Sequence, residues 1–499
     1  MTTTLLRGGR IHSTSYPGAT AMAVRDGVIA WLGGDGDGVR QFPGADILDL
    51  DGGLVTPAFV DNHVHLTATG LRITGLDLGP ARSLEHCLRL VSDHAAPHPG
   101  RPVWGHGWDD TEWPAPPTTD DVDAIAAGAP VYLARVDVHS AVASTALRRR
   151  ISGLPAAAGY HPQLPLTAQA HHLVRAEARR LLTVAQRDQA RVAALDAASA
   201  AGIVAVHECA GPDIGGAEDW QELRDTAHGV EVIGYWGEAV STAAQARALI
   251  EATGARGLAG DLFVDGALGS RTAWLCEPYA DAPHSTGTNH LGADAIAQHL
   301  LACTEAGVTA GFHVIGDAAV TAVVDALRQT AERFGVAAVA RCGHRLEHLE
   351  MVSAAQAAEL GAWGITASMQ PVFDALWGGA DGMYARRLGR RRAAGLNPFA
   401  LLASAGVPLA FGSDTPVTSM SPWEWVRAAH RHHTPASAIT VAAAVSAATL
   451  AGLRPGAPAS YAVWDGGGVD SATALPRLLP GEPLPHCRHS VHRGIVLHG

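Results

Sequence analysis

Two histidines separated by a single residue, His63 and His65, end a short apolar run of the sequence. Residues two apart on a β-strand share a face, so both imidazoles can reach one metal ion. His313, His348 and Asp414 stand near or at the ends of three later apolar runs. Such a set of imidazoles with one or two carboxylates is an N/O donor set that suits Zn²⁺ or a similar divalent cation.

Each of these residues alone also has an ordinary structural explanation. A His-x-His pair arises easily in a chain with 26 histidines. His313 alone could be a satisfied core histidine, and Asp414 alone could be a helix cap or turn residue. Polar side chains inside a packed barrel, however, cost several kcal/mol each unless they are paired or bind a metal. The whole set together therefore favours a metal site.

The elements that must position these residues alternate along the middle of the chain. Short apolar runs follow Ala-rich helical stretches, a rhythm typical of βα units and a parallel sheet. Asp261 and Asp265 are predicted to share one face of the fourth strand. The eight predicted core strands are Ala58–His65, Ile203–Glu208, Glu231–Trp236, Asp261–Asp265, Val308–Ile315, His344–His348, Gly364–Met369 and Val407–Asp414.

Eight strand–helix units predict an α/β fold with a (β/α)₈ TIM-like barrel, whose active site lies at the C-terminal ends of the strands. We expect the barrel over residues 58–454, with an insertion at about 71–165 that breaks the rhythm. Strand-like runs at both termini predict a β-sandwich domain from residues 1–57 plus 455–499. The helices predicted between strands are Ala176–Ala200, Ala243–Thr253, Ala293–Ala306, Ala318–Phe334 and Ala354–Leu360.

Composition excludes several classes of function. The 499-residue chain carries a formal net charge of −12, which argues against a nucleic-acid-binding surface. All 36 of its basic residues are Arg, so chemistry that needs a lysine, including a carbamylated-lysine metal bridge, is excluded. The six scattered cysteines, the absence of a signal-peptide pattern and the absence of a long apolar run predict a cytoplasmic protein that does not bind membranes. A homodimer is the commonest assembly for such a chain.

Five ordered motifs of the sequence resemble the amidohydrolase superfamily, and in particular its amidohydrolase family 3, which includes N-substituted formamide deformylase-like enzymes. The motifs read GGLVTPAFVDNHVHL, VDGALGSRTAWLCEPYAD, FHVIGDAAVTAVVDAL, HRLEHLEMV and LAFGSDTPV. The segments GHGWDDTEWP and SMQPVF also suit that branch. The resemblance covers nearly the whole chain and implies a metal-dependent hydrolase with a barrel and a composite β-sandwich.

The resemblance also implies roles for the metal site. His63 and His65 would bind the more buried metal, and Asp414 would bind that metal and take a proton from the attacking water. His313 and His348 would hold a second metal, or His348 would polarise the substrate in a one-metal version.

The fourth-strand motif departs from the family pattern. Where this branch commonly places a lysine, which can bridge two metals when carbamylated, this chain has Asp261. A carboxylate reaches less far, so a bridge through Asp261 would need a different geometry. Glu208, at the end of the second strand, is another candidate anionic ligand. The sequence therefore leaves open whether one or two Zn²⁺ or other divalent ions bind.

Candidate substrate contacts lie on loops at the predicted barrel mouth. Trp108, Asp109 and Gln370 could line a pocket, and His139 of the insertion could reach the substrate. Arg271 could meet a substrate carboxylate, and an ion pair with a nearby acid explains it equally well.

The predicted reaction is hydrolysis of an amide-type C–N bond of a small molecule by a metal-activated water, with Asp414 as general base and His348 assisting. A deaminase of an aromatic or heterocyclic amine would use the same ligands. A non-catalytic ligand-binding relative is the third alternative, and the complete ligand set argues against it.

Overall fold

Eight parallel strands form a nearly closed barrel in the computed structural model, which describes residues 3–466, 473 and 475–499. A bridge between Val64 and Thr415 and a hydrogen bond from the Asp414 amide to the His63 carbonyl (2.8 Å) join the first strand to the chain after the eighth. The predicted α/β barrel is confirmed. Its strands are Phe59–Val64, Ile203–Ala210, Glu231–Trp236, Gly257–Leu258, Thr309–Val314, Arg345–His348, Thr366–Met369 and Leu409–Phe411.

The fourth strand differs from the prediction. The regular strand is Gly257–Leu258, and the segment 261–265 keeps only an isolated bridge between Phe263 and His313. Gly260 lies between the two with φ +79°, a left-handed conformation that ends the extended strand. Asp265 therefore does not share a strand face with Asp261, and its carboxylate accepts hydrogen bonds from the amides of Trp274, Ile315 and Gly316 instead.

Helices surround the barrel and pack on its strands through one large apolar core. Ala243–Thr253 shows why they form where they do, because Thr242 and Gln245 make a reciprocal capping box at its start and Gly254 ends it in the left-handed conformation. The outer helices are Leu66–Thr74, Val184–Ala200, Gly216–Arg224, Ala243–Thr253, Ala293–Ala306, Asp317–Phe334, Val336–Cys342, Ala354–Ala362, Phe399–Ser404, Pro422–His430 and Val441–Ala448.

The predicted helix Ala176–Ala200 is two helices, Ala168–Arg180 and Val184–Ala200. The second begins where Thr183 and Gln186 form a capping box, which stops the first from continuing. Within the described part of the chain, no helix combines the length and the apolar character that crossing a membrane requires.

The insertion folds as a five-stranded sheet of its own beside the barrel. Helix Ala168–Arg180 follows the last of these strands and packs against the sheet. The strands of the insertion are Leu76–Asp77, Val103–Trp108, Val131–Arg135, Ser140–Ala143 and Leu166–Thr167, and its helices are Leu84–Ala95, Thr119–Ile125 and Thr145–Arg148.

Two further sheets form from the ends of the chain, one from N-terminal strands and one from strands of both ends. Leu54–Pro57 pairs antiparallel with Tyr461–Asp465, so N-terminal and C-terminal segments share one sheet. The division into domains at residues 57 and 455 stays a prediction. The four-stranded sheet holds Thr3–Arg7, Ala21–Arg25, Val28–Gly33 and Asp46–Asp49; the five-stranded sheet holds Arg10–Ile11, Leu54–Pro57, Tyr461–Asp465, His486–His492 and Ile495–His498.

Candidate metal centre

The barrel brings the predicted ligands to the C-terminal ends of its strands. His63 lies near the end of the first strand, His313 near the end of the fifth and His348 at the end of the sixth. His348 (φ 70°) and Asp414 (φ 53°) both have the left-handed backbone conformation that side-chain-bearing residues rarely adopt. Such strain persists only where the surrounding structure imposes it, and it concentrates at functional sites.

The first group of ligands contains two imidazoles and two carboxylates. Nε2 of His63 lies 3.4 Å and Nε2 of His65 lies 3.3 Å from Oδ1 of Asp414. The same nitrogens lie 3.5 Å and 3.1 Å from Oδ1 and Oδ2 of Asp261, respectively. Five ligand atoms of four residues thus converge from the first strand, the fourth-strand segment and the end of the eighth strand.

A second group shares a member with the first. Asp261, His313 and His348 each offer a ligand atom, and these atoms all lie within 4.8 Å of one another. Nε2 of His348 is 3.8 Å from Oδ1 of Asp261. The Asp261 carboxylate therefore stands between the two groups, which is the position that a bridging ligand would take.

The arrangement fits a cation. Nε2 of His63 and Oδ1 of Asp261 are buried and have no hydrogen-bond partner among the described residues. Burial alone would lower the pKa of His65, but Asp261 and Asp414 outweigh it and raise that pKa to about 9. For Asp261, burial would raise the pKa, yet the surrounding histidines hold it well below its usual range. Carboxylates that draw protons onto neighbouring imidazoles offer the same attraction to a metal ion.

A second layer of polar residues orients the imidazoles. Nδ1 of His63 donates to Oε2 of Glu347 (2.9 Å), which leaves Nε2 facing the carboxylates. Glu347 is itself held by Arg345, whose guanidinium donates to both of its oxygens at 2.6 Å and 2.9 Å. Glu347 is not among the residues predicted from the sequence, although its place in HRLEHLEMV, directly before His348, is a signal that could have found it.

Gln370 plays the same part for His348, since Nδ1 of His348 donates to Oε1 of Gln370 at 2.8 Å. This contact gives Gln370 a positioning role where the sequence predicts a substrate contact. We expect Gln370→Leu to weaken zinc affinity about 10-fold to 100-fold, because the imidazole loses the acceptor that fixes its tautomer. Gln370→Glu keeps an acceptor and is expected to bind zinc within about threefold of the wild type.

Zinc titration with a competing chelator measures both Gln370 variants. An unchanged zinc affinity in Gln370→Leu, together with a raised KM, would instead support the substrate contact predicted from the sequence.

Three other predicted residues lie elsewhere than expected. Glu208 is buried, and Oε2 of its carboxylate accepts from the Leu66 amide at 2.8 Å, whereas the donor groups that could hold an ion among the described residues do not include it. Trp108 is fully buried in the core of the inserted sheet, and its Nε1 donates to the Leu133 carbonyl (2.9 Å). Asp109 accepts from Arg135 at 2.8 Å and so supports the sheet rather than the cavity.

The two remaining predicted contacts differ in outcome. Arg271 donates to both oxygens of Asp281 (3.2 Å and 2.9 Å), which is the ion pair with a nearby acid that the sequence offers as the alternative to a substrate contact. His139 does face the site, with its ring centre 4.9 Å from that of His313. Burial and the neighbouring His313 keep the pKa of His139 well below its usual value, so this imidazole is neutral.

The cavity above the ligands has two lobes, and the residues that line both are Asp137, His139, His313, His348, Asp414 and Val417. The polar lobe spans about 650 Å³ and the apolar lobe about 380 Å³, and both volumes include space open to solvent. The polar lobe is lined in addition by His106, Tyr132, His172, Arg175 and Arg179; the apolar lobe by Leu268, Ile315, Phe373, Trp377, Met383 and Tyr384.

The sequence matches the model of the "Amidohydrolase family" over residues 46–497, which is nearly the whole chain. The protein LONG AFTER FAR-RED 3 of Arabidopsis thaliana is 27% identical over 465 residues, covering 85% of this chain and 77% of that protein.

Two solved structures share the fold. An uncharacterized metal-dependent hydrolase from Pyrococcus furiosus is 25% identical with a TM-score of 0.68, covering 92% of this chain and 98% of that one. An uncharacterized metal-dependent hydrolase from Pyrococcus horikoshii is 22% identical with a TM-score of 0.72, covering 96% and 99%. The superfamily predicted from the motifs is confirmed.

Proposed function

Because the chain belongs to the amidohydrolase family and is a metal-binding hydrolase of C–N bonds, we propose that it cleaves the amide of a small, partly apolar molecule with Asp414 as general base. The observation that carries this proposal is the convergence of His63, His65 and Asp414 with Asp261 around one point. The narrower relationship to N-substituted formamide deformylase-like enzymes is part of the same proposal.

The residues present fit one or two divalent ions. His63, His65, Asp261 and Asp414 would hold the first. Asp261, His313 and His348 would hold the second, and His348 also offers a ligand atom close to those of His63 and Asp414. We take Zn²⁺ as the metal, because imidazole and carboxylate are ligands that suit it. A zinc ion bound here supplies a lowered pKa for water and polarisation of a carbonyl group.

The chain's own side chains then carry the proton. Asp414 borders both lobes, so its carboxylate can accept a proton from a water at the junction and pass it to the leaving nitrogen. The neutral imidazole of His139 lies beside the same junction and can donate a hydrogen bond to the developing oxyanion.

A metal-dependence experiment tests this function. Zinc-loaded protein is assayed against a panel of N-substituted formamides, other small amides and aromatic amines, with carboxylate and ammonia release measured separately. We expect carboxylate release from an amide, loss of that activity after chelation and dialysis, and recovery with added zinc.

Ammonia release from the amines would point to the deaminase alternative on the same scaffold. Full amide hydrolysis by protein shown by elemental analysis to be free of divalent metal would overturn the proposal.

A further inference from the structure

Helix Ala168–Arg180 presents one imidazole and two guanidinium groups to the polar lobe of the cavity. His172, Arg175 and Arg179 are spaced three and four residues apart, so they follow one another along a single helix face. His172 and Arg179 also line an outer cavity of about 1200 Å³ that opens to solvent. Arg179 therefore borders both the outer cavity and the polar lobe, whereas Arg175 lines only the polar lobe of these two.

The guanidinium of Arg175 is buried, and no carboxylate among the described residues forms an ion pair with it. Arg175 is only 7% exposed, and its Nη2 donates to the backbone carbonyl of Asp213. Arg179 likewise donates to the carbonyl of Ile214. Nε of Arg175 and Nε of Arg179 are buried and unpaired within the described residues, where neither side chain forms an ion pair. A buried charge left in this state is unfavourable unless a ligand completes it.

The other buried arginines mostly have carboxylate partners. Arg135 donates to three aspartates, at 2.9 Å to Asp110, 2.9 Å to Asp137 and 2.8 Å to Asp109. Arg345 is paired with Glu347, and Arg191 with several acids. Arg148 lacks a carboxylate partner but donates to four backbone carbonyls. Arg191 also has an unpaired Nε, but several carboxylates neutralise its guanidinium. Arg175 differs because it lines the cavity and has no carboxylate partner among the described residues.

The two lobes differ in what they can hold. Arg135 also borders the apolar lobe, but its three aspartates neutralise it, and the other walls there are mainly apolar. In the polar lobe, His106 is buried with both ring nitrogens unpartnered among the described residues. Burial lowers the pKa of His106 to about 3, so it is neutral and adds a hydrogen-bonding group without charge. An anion would therefore bind on the side of Arg175.

We propose that Arg175, assisted by Arg179, binds a carboxylate of the substrate, so that the enzyme acts on amides with a carboxylate on one side of the scissile bond and an apolar group on the other. A guanidinium offers two parallel N–H groups to a carboxylate, a geometry that a neutral carboxamide cannot match. The apolar group occupies the lobe of Phe373, Trp377 and Met383. This inference rests on the proposed function, because it takes the bond at the junction of the lobes as the one that is cleaved.

Binding measured without turnover tests the inference separately from the proposed function. Zinc-loaded Asp414→Asn protein is titrated calorimetrically with two probe pairs, each an acid and its primary carboxamide. The pairs are N-benzoylglycine and N-benzoylglycinamide, and succinanilic acid and its carboxamide, which present the carboxylate on opposite sides of the amide. We expect the acid of at least one pair to bind about 30-fold more tightly than its carboxamide.

Adding Arg175→Gln to that protein is expected to reduce the advantage of the acid to below about threefold, while the affinity for the carboxamide stays nearly unchanged. Arg247→Gln, which removes an exposed arginine from helix Ala243–Thr253, is the matched control and should keep the full preference. If Arg175→Gln does not fold, Arg179→Gln replaces it, with a smaller expected loss.

Two results would overturn the inference. One is an acid preference below about threefold in both pairs; the other is an equal loss of acid and carboxamide binding in the arginine variant. Failure of the proposed function would look different, since it would remove metal-dependent hydrolysis across the amide panel and leave the carboxylate preference in binding intact.

Discussion

Asp414→Asn is expected to lower kcat for amide hydrolysis by at least about 100-fold while the protein keeps its fold. The asparagine side chain has nearly the same shape as aspartate, but its amide cannot accept the proton of the attacking water. Steady-state kinetics on the zinc-loaded variant, with zinc content and circular dichroism measured on the same sample, check this expectation.

Asp294→Asn is the control for this prediction, because it removes the same charge at a distance from the site. Asp294 is exposed in the first turn of an outer helix. We expect it to keep kcat within about twofold of the wild type. Near-normal turnover in Asp414→Asn would refute the role assigned to Asp414.

If Asp261 bridges two ions, Asp261→Ala is expected to lower the zinc content from two ions per chain toward one, with a large loss of activity. The Asp261 carboxylate is the one member that the two ligand groups share, so its removal deprives both groups of an anionic oxygen. Elemental analysis after gel filtration in zinc-free buffer measures the change. Asp294→Ala serves as the control, and an unchanged zinc content in Asp261→Ala would show that this residue does not bridge.

Most barrel strands follow from local sequence, because a strand buried on both faces is a short apolar run bounded by turn residues. Glu231–Trp236 is one strand with the predicted bounds, and Ile203–Ala210 extends its predicted range by two residues. The prediction of the fourth strand was wrong because the conformation of one glycine ends the strand early. Gly260 turns the chain out of the extended conformation. The Asp265 carboxylate accepts hydrogen bonds from the amides of Ile315 and Gly316, which lie far along the sequence.

Some residues of the candidate site could likewise be predicted from the sequence, and others could not. Alternation along a strand was enough to place His63 and His65 together, and the resemblance pointed to Asp261. The contacts of Glu347 and Gln370 could not be read from the sequence, because they depend on neighbouring strands and their register. Arg175 was missed because it lies just before the predicted helix Ala176–Ala200, in a helix that the inserted sheet positions against the barrel mouth.

Anomalous diffraction from zinc-loaded crystals, recorded above and below the zinc absorption edge, addresses the metal centre most directly. We predict a peak within about 2.3 Å of Nε2 of His63, Nε2 of His65 and a carboxylate oxygen of Asp414. A second peak is expected on the side of His313 and His348, with Asp261 between the two. The contrary result is a map in which no zinc peak contacts His63, His65 and Asp414 together.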